Sequence, residues 1–388
     1  EALLPPGKKY VESAPVSENP DIATPEEVLD LLVERLSAVV LDAWRKRAPG
    51  SFTNAFGRAA VGMCRRAVYS DGSAQMWGDT STAVFTELEG GNDSGIELLY
   101  IFNEKHELTG VVANLACPAQ CVQHRLFVSP DFWGETKLLL RKHFGRDLFL
   151  LPLCSAAGDQ CPVDLIRWVE PESDVHDPNI VRVNPPVRKA DPSMFDLAGA
   201  RKAGGRIAHE IIEAYPDAVR EKRDALHFEH RVEGVKLPVR MVTRQERDAA
   251  EEALNRFFAS CAGKTLSFYD NASMHVHAGT LARYDYQQTH HVFEVEGHFL
   301  RLDDLAFATN PFELFLDFGN QIRAQSPAVQ TFLIQLANGS LGYLPTERAE
   351  EGSHYSAYVS SGITGHVGGD LLDRKSTRLN SSHLSRSR

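Results

Sequence analysis

Two segments of the chain bring reactive side chains to the end of an apolar run. LTGVVANLACPAQ, from Leu108, closes on Cys117 and Pro118, with Cys121 next; LFLLPLCSAAGDQCP, from Leu148, closes on Cys154, Ser155, Gly158, Asp159 and Cys161. A thiol is a nucleophile when a helix N-terminus or an imidazolium lowers its pKa, and a thiolate is also a soft metal ligand. Cys161 follows Gly158-Asp159 at such an end, so it is a candidate catalytic nucleophile or the lining of a pocket. A negative Asp159 would raise rather than lower its pKa. Asp159 is itself a candidate catalytic group, or else the cap of the helix that follows the glycine turn.

The elements that would position these residues are a strand, a helix and a strand. DFWGETKLLLRKHFG, from Asp131, separates the two apolar runs. A strand-helix-strand unit crosses over right-handed and leaves its strands parallel. Both reactive ends then open on one edge of the sheet, where ligands of open α/β sheets bind. Asp131, after Ser129-Pro130, is expected to cap the crossover helix.

The remaining elements flank this unit. Thr24-Pro25-Glu26-Glu27 is a capping box with proline at the first helical position. Val28, Leu31, Leu32, Leu36, Val39, Val40 and Trp44 follow at helical spacing, so a helix over 25–47 is expected to pack on the core. GIELLYIF from Gly95 is a strand, and the proline- and acid-rich stretch Pro171–Pro192 a surface connection. A helix is expected over 193–214, weakened by Gly204-Gly205, then a strand at ALHFEHRVEG and a capped helix from Thr243. HHVFEVEGHFLRL and QTFLIQLANG are strands around NPFELFLDFGNQIRAQSP, a helix fed by a loop. His275 and His277 are expected on one strand face, near His290 and His291, as surface or half-buried residues.

Composition excludes several functions. The chain of 388 residues carries a formal net charge of −11, which argues against binding nucleic acid, a task that needs a basic face. No run approaches the roughly 18 apolar residues of a membrane span. Six cysteines are too few for a disulfide scaffold; each taken singly reads as a small buried hydrophobe, yet four of them fall inside the one strand-helix-strand unit.

Five pieces together resemble the neutral/alkaline non-lysosomal ceramidase family, in its N-terminal catalytic domain, and more closely an uncharacterised bacterial branch. They are GRAAVGMCRRAVYSDG, VVANLACPAQ followed by SPDFWGE, AAGDQCP, NPFELFLDFGNQI and NGSLGYLPTERA, in the family's order across roughly Phe52 to Leu372. The resemblance implies a mixed-sheet α/β fold with flanking helices, and an amidase of sphingolipid-like substrates that hydrolyses an N-acyl bond with zinc. It places metal ligands at Glu313 and Tyr343 and the motif glycine and aspartate at Gly158 and Asp159. The family's His-Thr-His loop has no counterpart near Ser13-Ala14-Pro15, Pro118 stands where the second ligand histidine belongs, and Cys161 replaces the motif serine. A rebuilt metal site would draw on His124, within Cys117-x3-Cys121-x2-His124, together with Cys154 and Cys161.

The expectation is one ceramidase-like domain over 1–372, lacking its upstream part and with two lobes parting near 171–192, followed by a disordered, artefactual basic tail over 373–388. The partner would be a small-molecule or lipid-like linear amide, and the resemblance allows an extracytoplasmic or secreted location. A second expectation is a member that kept the fold as a binding or structural protein and lost the metal. Asp93 in its Gly-Gly-Asn-Asp turn, and Arg65 and Arg66, which could clamp an anion or pair with acids, complete the candidates.

Overall fold

The computed structural model describes residues 7–11, 23–169, 189–224, 226–261, 266 and 268–384. Most of the Pro171–Pro192 connection, and Ser13-Ala14-Pro15, lie outside these. Two four-stranded sheets form the centre. The first contains β1 (Gly50–Arg58), β2 (Gly95–Asn103), β3 (Leu108–Leu115) and β4 (Phe149–Cys154), side by side in that order. The second contains β5 (Phe228–Pro238), β6 (Val292–Leu302), β7 (Leu305–Thr309) and β8 (Gln330–Ile334), again in chain order. In both sheets the first two pairings are antiparallel and the last is parallel. The parallel pairs are crossed by helices: Asp131–Phe144 between β3 and β4, and Leu316–Gln325 between β7 and β8.

The expected strand-helix-strand unit is therefore present, with Gly110 opposite Phe149 and Leu115 opposite Cys154. The two sheets face each other through Phe52, Leu99 and Val112 on one and Leu305 and Phe332 on the other. The outer face of the first sheet buries Leu98, Tyr100, Phe102, Val111 and Ala113 against Phe132 and Leu140 of the crossover helix and Ile207 and Ile211 of Asp196–Ala218. The outer face of the second buries Val235, Leu237, Phe293 and Val295 with Phe318 and Ile322. Helix, sheet, sheet, helix is the layer order, and each buried face follows from period-two alternation on the strands against helical spacing on the helices.

Numbered along the chain, the helices are α1 (Pro25–Arg45), α2 (Asp131–Phe144), α3 (Asp196–Ala218), α4 (Arg244–Cys261), α5 (Phe268–Tyr286), α6 (Leu316–Gln325), α7 (Glu347–Gly352) and α8 (His366–Leu384). The capping box of α1 forms: Thr24 Oγ1 accepts from the Glu27 N–H, and the Glu27 carboxylate accepts from the Thr24 N–H. Its expected packing does not. Leu36 is 61% exposed and Trp44 64%, and the rest of the apolar stripe is open as well. Helical spacing marks a face that can be buried without specifying what covers it.

A further expectation is corrected. His275 and His277 lie on α5, not on a strand; Met274, Ala278, Leu281 and Ala282 recur at helical spacing and are buried, which outweighs the short His-Val-His alternation. Gly204 lets α3 approach α2, because a Cβ there would stand 2.6 Å from Glu135 Cβ and 2.7 Å from the Phe132 carbonyl oxygen. Past residue 372, α8 continues, with Asp373 and Ser376 buried. Among the described residues no helix is long and apolar enough to cross a membrane.

Candidate functional site

The ends of β3 and β4 lead into two loops that meet the segment from Glu313 to Leu316. Gly158 makes this meeting possible: its N–H donates to the Leu314 carbonyl at 2.8 Å, and a Cβ at that position would lie 2.3 Å from the Glu313 carbonyl oxygen. Asp159 completes the joint, since its Oδ1 accepts from the Leu316 N–H, at the first turn of α6, at 2.9 Å. The Asp159 carboxyl is buried, and burial raises its pKa from 3.8 to about 6, against the pull of the Leu316 N–H and the Gln160 side chain. Asp159 thus bonds the first turn of α6, 157 positions along the chain, and not a helix following its own turn, where strands come next.

Glu313 and Tyr343 stand opposite each other in a two-residue parallel bridge, Glu313–Leu314 with Tyr343–Leu344. Gly342 sets the bridge up with φ +74°, its carbonyl accepting from the Glu313 N–H at 2.9 Å. Burial pushes the Glu313 carboxyl above its ordinary range, opposed by the Tyr343 hydroxyl and the Arg65 charge. Burial also pushes Tyr343 well up, so its hydroxyl keeps its proton and serves as a donor.

Arg65 lies buried behind this pair. Its Nη2 donates to the Gly158 carbonyl at 2.8 Å and to the Tyr343 hydroxyl at 3.3 Å, and its Nη1 to Gln120 Oε1 at 3.2 Å. Burial disfavours the charge, but Tyr343, Cys161 and Glu313 around it more than offset that and hold the guanidinium pKa above its ordinary value. Arg66 points elsewhere. It pairs with the buried Glu89 at 2.7 Å and donates to the carbonyls of Ser353 at 2.7 Å, Tyr355 at 2.9 Å and Ala349 at 3.3 Å. The loop so held has Ser353, His354 and Ser356 at positive φ. It presents Tyr355, whose ring meets Tyr343 edge-on at 5.5 Å and whose hydroxyl accepts from that of Tyr343 at 3.4 Å.

Sequence reasoning did not single out Tyr355 or Gln120. No local signal marks Tyr355, because a strained loop held by a distant arginine has no pattern of its own. The Arg65-Arg66 dipeptide between apolar segments was the one available hint of buried cations.

The other candidates are placed elsewhere or held differently. Cys161 is wholly buried, its thiol against the Val163 carbonyl at 3.3 Å, and burial pushes its pKa up to about 12. Cys64 and Cys154 are likewise pushed up to about 12. His124 stacks on Phe195 at 5.1 Å, with Nε2 3.7 Å from Asp196, at the start of α3. Asp131 accepts from the N–H groups of Phe132 and Val122, fixing the loop between β3 and α2. Arg323 of α6 links Ser155 to Asp93. A cavity of about 670 Å³ opens at Tyr69, Gln75, Asp79 and His354, next in sequence to Tyr355.

The zinc that the resemblance implies does not fit these residues. Among the described residues no imidazole joins Glu313 and Tyr343, the Pro118 side chain offers no ligand atom, and the permanent cation of Arg65 already holds the Tyr343 oxygen. Among the described residues no three histidine, cysteine, aspartate or glutamate side chains converge as metal ligands, so His124 does not complete a centre.

No family model and no curated protein matches the chain. Among solved structures it is similar to the neutral ceramidase from Pseudomonas aeruginosa, with a TM-score of 0.61 and 15% identity over 93% of this chain and 56% of that one. It is also similar to a ceramidase complexed with C2, with a TM-score of 0.59 and 13% identity over 93% of this chain and 57% of that one. At such identities the likeness is one of fold, and the chain spans just over half the length of these ceramidases.

Proposed function

We propose that the protein is a hydrolase of N-acyl bonds in linear, lipid-like amides, built on the fold it shares with the neutral ceramidases. The observation that carries this reading is the convergence of Arg65, Glu313 and Tyr343 on one point at the sheet edge. A half-buried carboxylate, a protonated phenol and a fixed cation are what an amide needs to be attacked by water. In the proposed reaction the Glu313 carboxylate takes a proton from water as its oxygen bonds to the amide carbon. The Tyr343 and Tyr355 hydroxyls donate to the oxyanion that forms, and the Arg65 charge behind Tyr343 stabilises it. Collapse breaks the carbon–nitrogen bond, and the amine leaves with the proton held on Glu313. One amide and one water give one acid and one amine, and every step uses residues described above.

A second reading, a binding protein that kept the fold without turnover, is favoured by Pro118 and by the lack of a metal-ligating group among the described residues. The two readings part in one experiment. Incubation with an N-acylated long-chain amino alcohol, with both products quantified by mass spectrometry, should give acid and amine in equal amounts. Saturable binding of the amide with neither product would support the second reading.

A further inference from the structure

The loop between β3 and α2 carries an uncharged apolar tip that no described residue covers. Leu126 is 104% exposed, Phe127 52% and Val128 103%. Three consecutive apolar side chains standing free in water mark a contact surface more often than scattered single ones do. The base of the loop is firmly held: the Val122 N–H donates to Asp131, the Asp196 N–H donates to the Cys121 carbonyl at 2.9 Å, and Arg125 pairs with Asp196. A frayed loop would not be pinned at both ends of its base, so this tip is held out.

The same loop reaches the candidate site. Gln120, which accepts from Arg65, lies six residues before Leu126, so the tip stands within about 20 Å of the site along the chain. It leaves from the carboxyl end of β3, the edge on which Glu313 and Tyr343 are gathered. We propose that Leu126, Phe127 and Val128 insert into a lipid bilayer of zwitterionic headgroups and bring the site to its substrate there. This rests on the lipid-like substrate proposed above, since such a molecule resides in a bilayer and must be withdrawn from it.

The choice of surface follows from charge. Arg125 beside the tip is paired with Asp196, and the chain as a whole carries −11. A negative surface would repel it, whereas a zwitterionic one admits apolar side chains without a charge requirement. Leu197, 44% exposed next to the Asp196 anchor, widens the apolar rim.

The test is co-flotation of the full chain with phosphatidylcholine vesicles, and with vesicles containing phosphatidylserine. Each apolar side chain withdrawn from water is worth on the order of tenfold in binding, so the triple variant Leu126→Ser, Phe127→Ser, Val128→Ser should bind phosphatidylcholine at least about tenfold more weakly. Its thermal melt should be unchanged, because the tip stands exposed among the described residues. The double variant Leu36→Ser, Val40→Ser, on the equally open α1, should bind like the parent chain. No vesicle binding by the parent chain, equal binding by the triple variant, or loss in the α1 variant instead would overturn the proposal. So would a dimer that the triple variant converts to monomer without a change in vesicle binding. Flotation does not depend on turnover: Glu313→Gln should float like the parent chain, so a failure of the hydrolase reading is seen separately.

Discussion

The Arg65 guanidinium donates to the Tyr343 hydroxyl at 3.3 Å, across 278 positions of sequence. The same nitrogen holds the Gly158 carbonyl. One buried cation therefore ties together the glycine-aspartate turn and the bridge that carries Glu313.

Replacing that cation should be felt twice. Arg65→Met leaves the Gly158 carbonyl without its donor and should cost about 1–3 kcal/mol of stability, read by chemical denaturation. Amide turnover per folded molecule should fall by about 10- to 100-fold, since the charge acts on the oxyanion through Tyr343. Arg65→Lys should recover less than half of either loss, because a single ammonium nitrogen on a shorter stem cannot also replace the separate Nη1 contact to Gln120.

Gly158→Ala should be costlier than an ordinary loop substitution. The added Cβ meets a backbone oxygen at 2.3 Å, which cannot rotate away, so the Gly158 loop and the Glu313 strand must part. A loss of about 1–3 kcal/mol is expected. Turnover should fall with it, whereas Gly205→Ala, with nothing within 4 Å, should leave both unchanged or slightly raise stability.

Asp159 makes stability depend on pH. Burial raises its folded pKa to about 6 while the unfolded chain titrates near 3.8, so the folded state binds the proton more tightly. The contribution is complete below about pH 4 and is lost as pH rises through 6, amounting to about 3 kcal/mol. Asp159→Asn keeps an oxygen for the Leu316 N–H and does not titrate. Unfolding free energies at pH 4 and pH 7 should therefore differ by about 3 kcal/mol less in the variant than in the parent chain.

Arg66 and Glu89 form a buried pair whose removal should show coupling. Arg66→Met alone frees the Ser353–Ser356 loop and leaves Glu89 buried without its cation, at about 3–5 kcal/mol. Removing Glu89 as well, as Arg66→Met with Glu89→Met, should restore part of that loss, read by a double-mutant cycle. Near-ultraviolet circular dichroism should report a changed Tyr343–Tyr355 environment in the single variant.

What could be read from the sequence was what is local. The crossover of β3, α2 and β4, the cap of α1 at Thr24 and the loop-fed α6 after Asn310 are each set by residues within a few turns of one another. The resemblance to ceramidases rested on short motifs in order, and the fold agrees with it. The placement of α1 was not legible, since amphipathic spacing is silent about the partner, and His275 was read with the wrong period. The site was legible in part. Glu313 and Tyr343 were named by resemblance and do lie together, but Tyr355 depends on a loop whose conformation is imposed by Arg66, 289 positions away. Burial, which pushes Cys161 up to about 12, is equally a property of the packed chain and not of the motif.

In the proposed reaction Glu313 is the base that activates water against the amide. The most direct test is single-turnover release of fatty acid from an N-acylated long-chain amino alcohol by the parent chain and by Glu313→Gln at equal folded concentration. Release by the parent chain is expected, with a rate lower by about 10²- to 10⁴-fold in the variant. Release that is absent from the parent chain, or equal in the two, would contradict it.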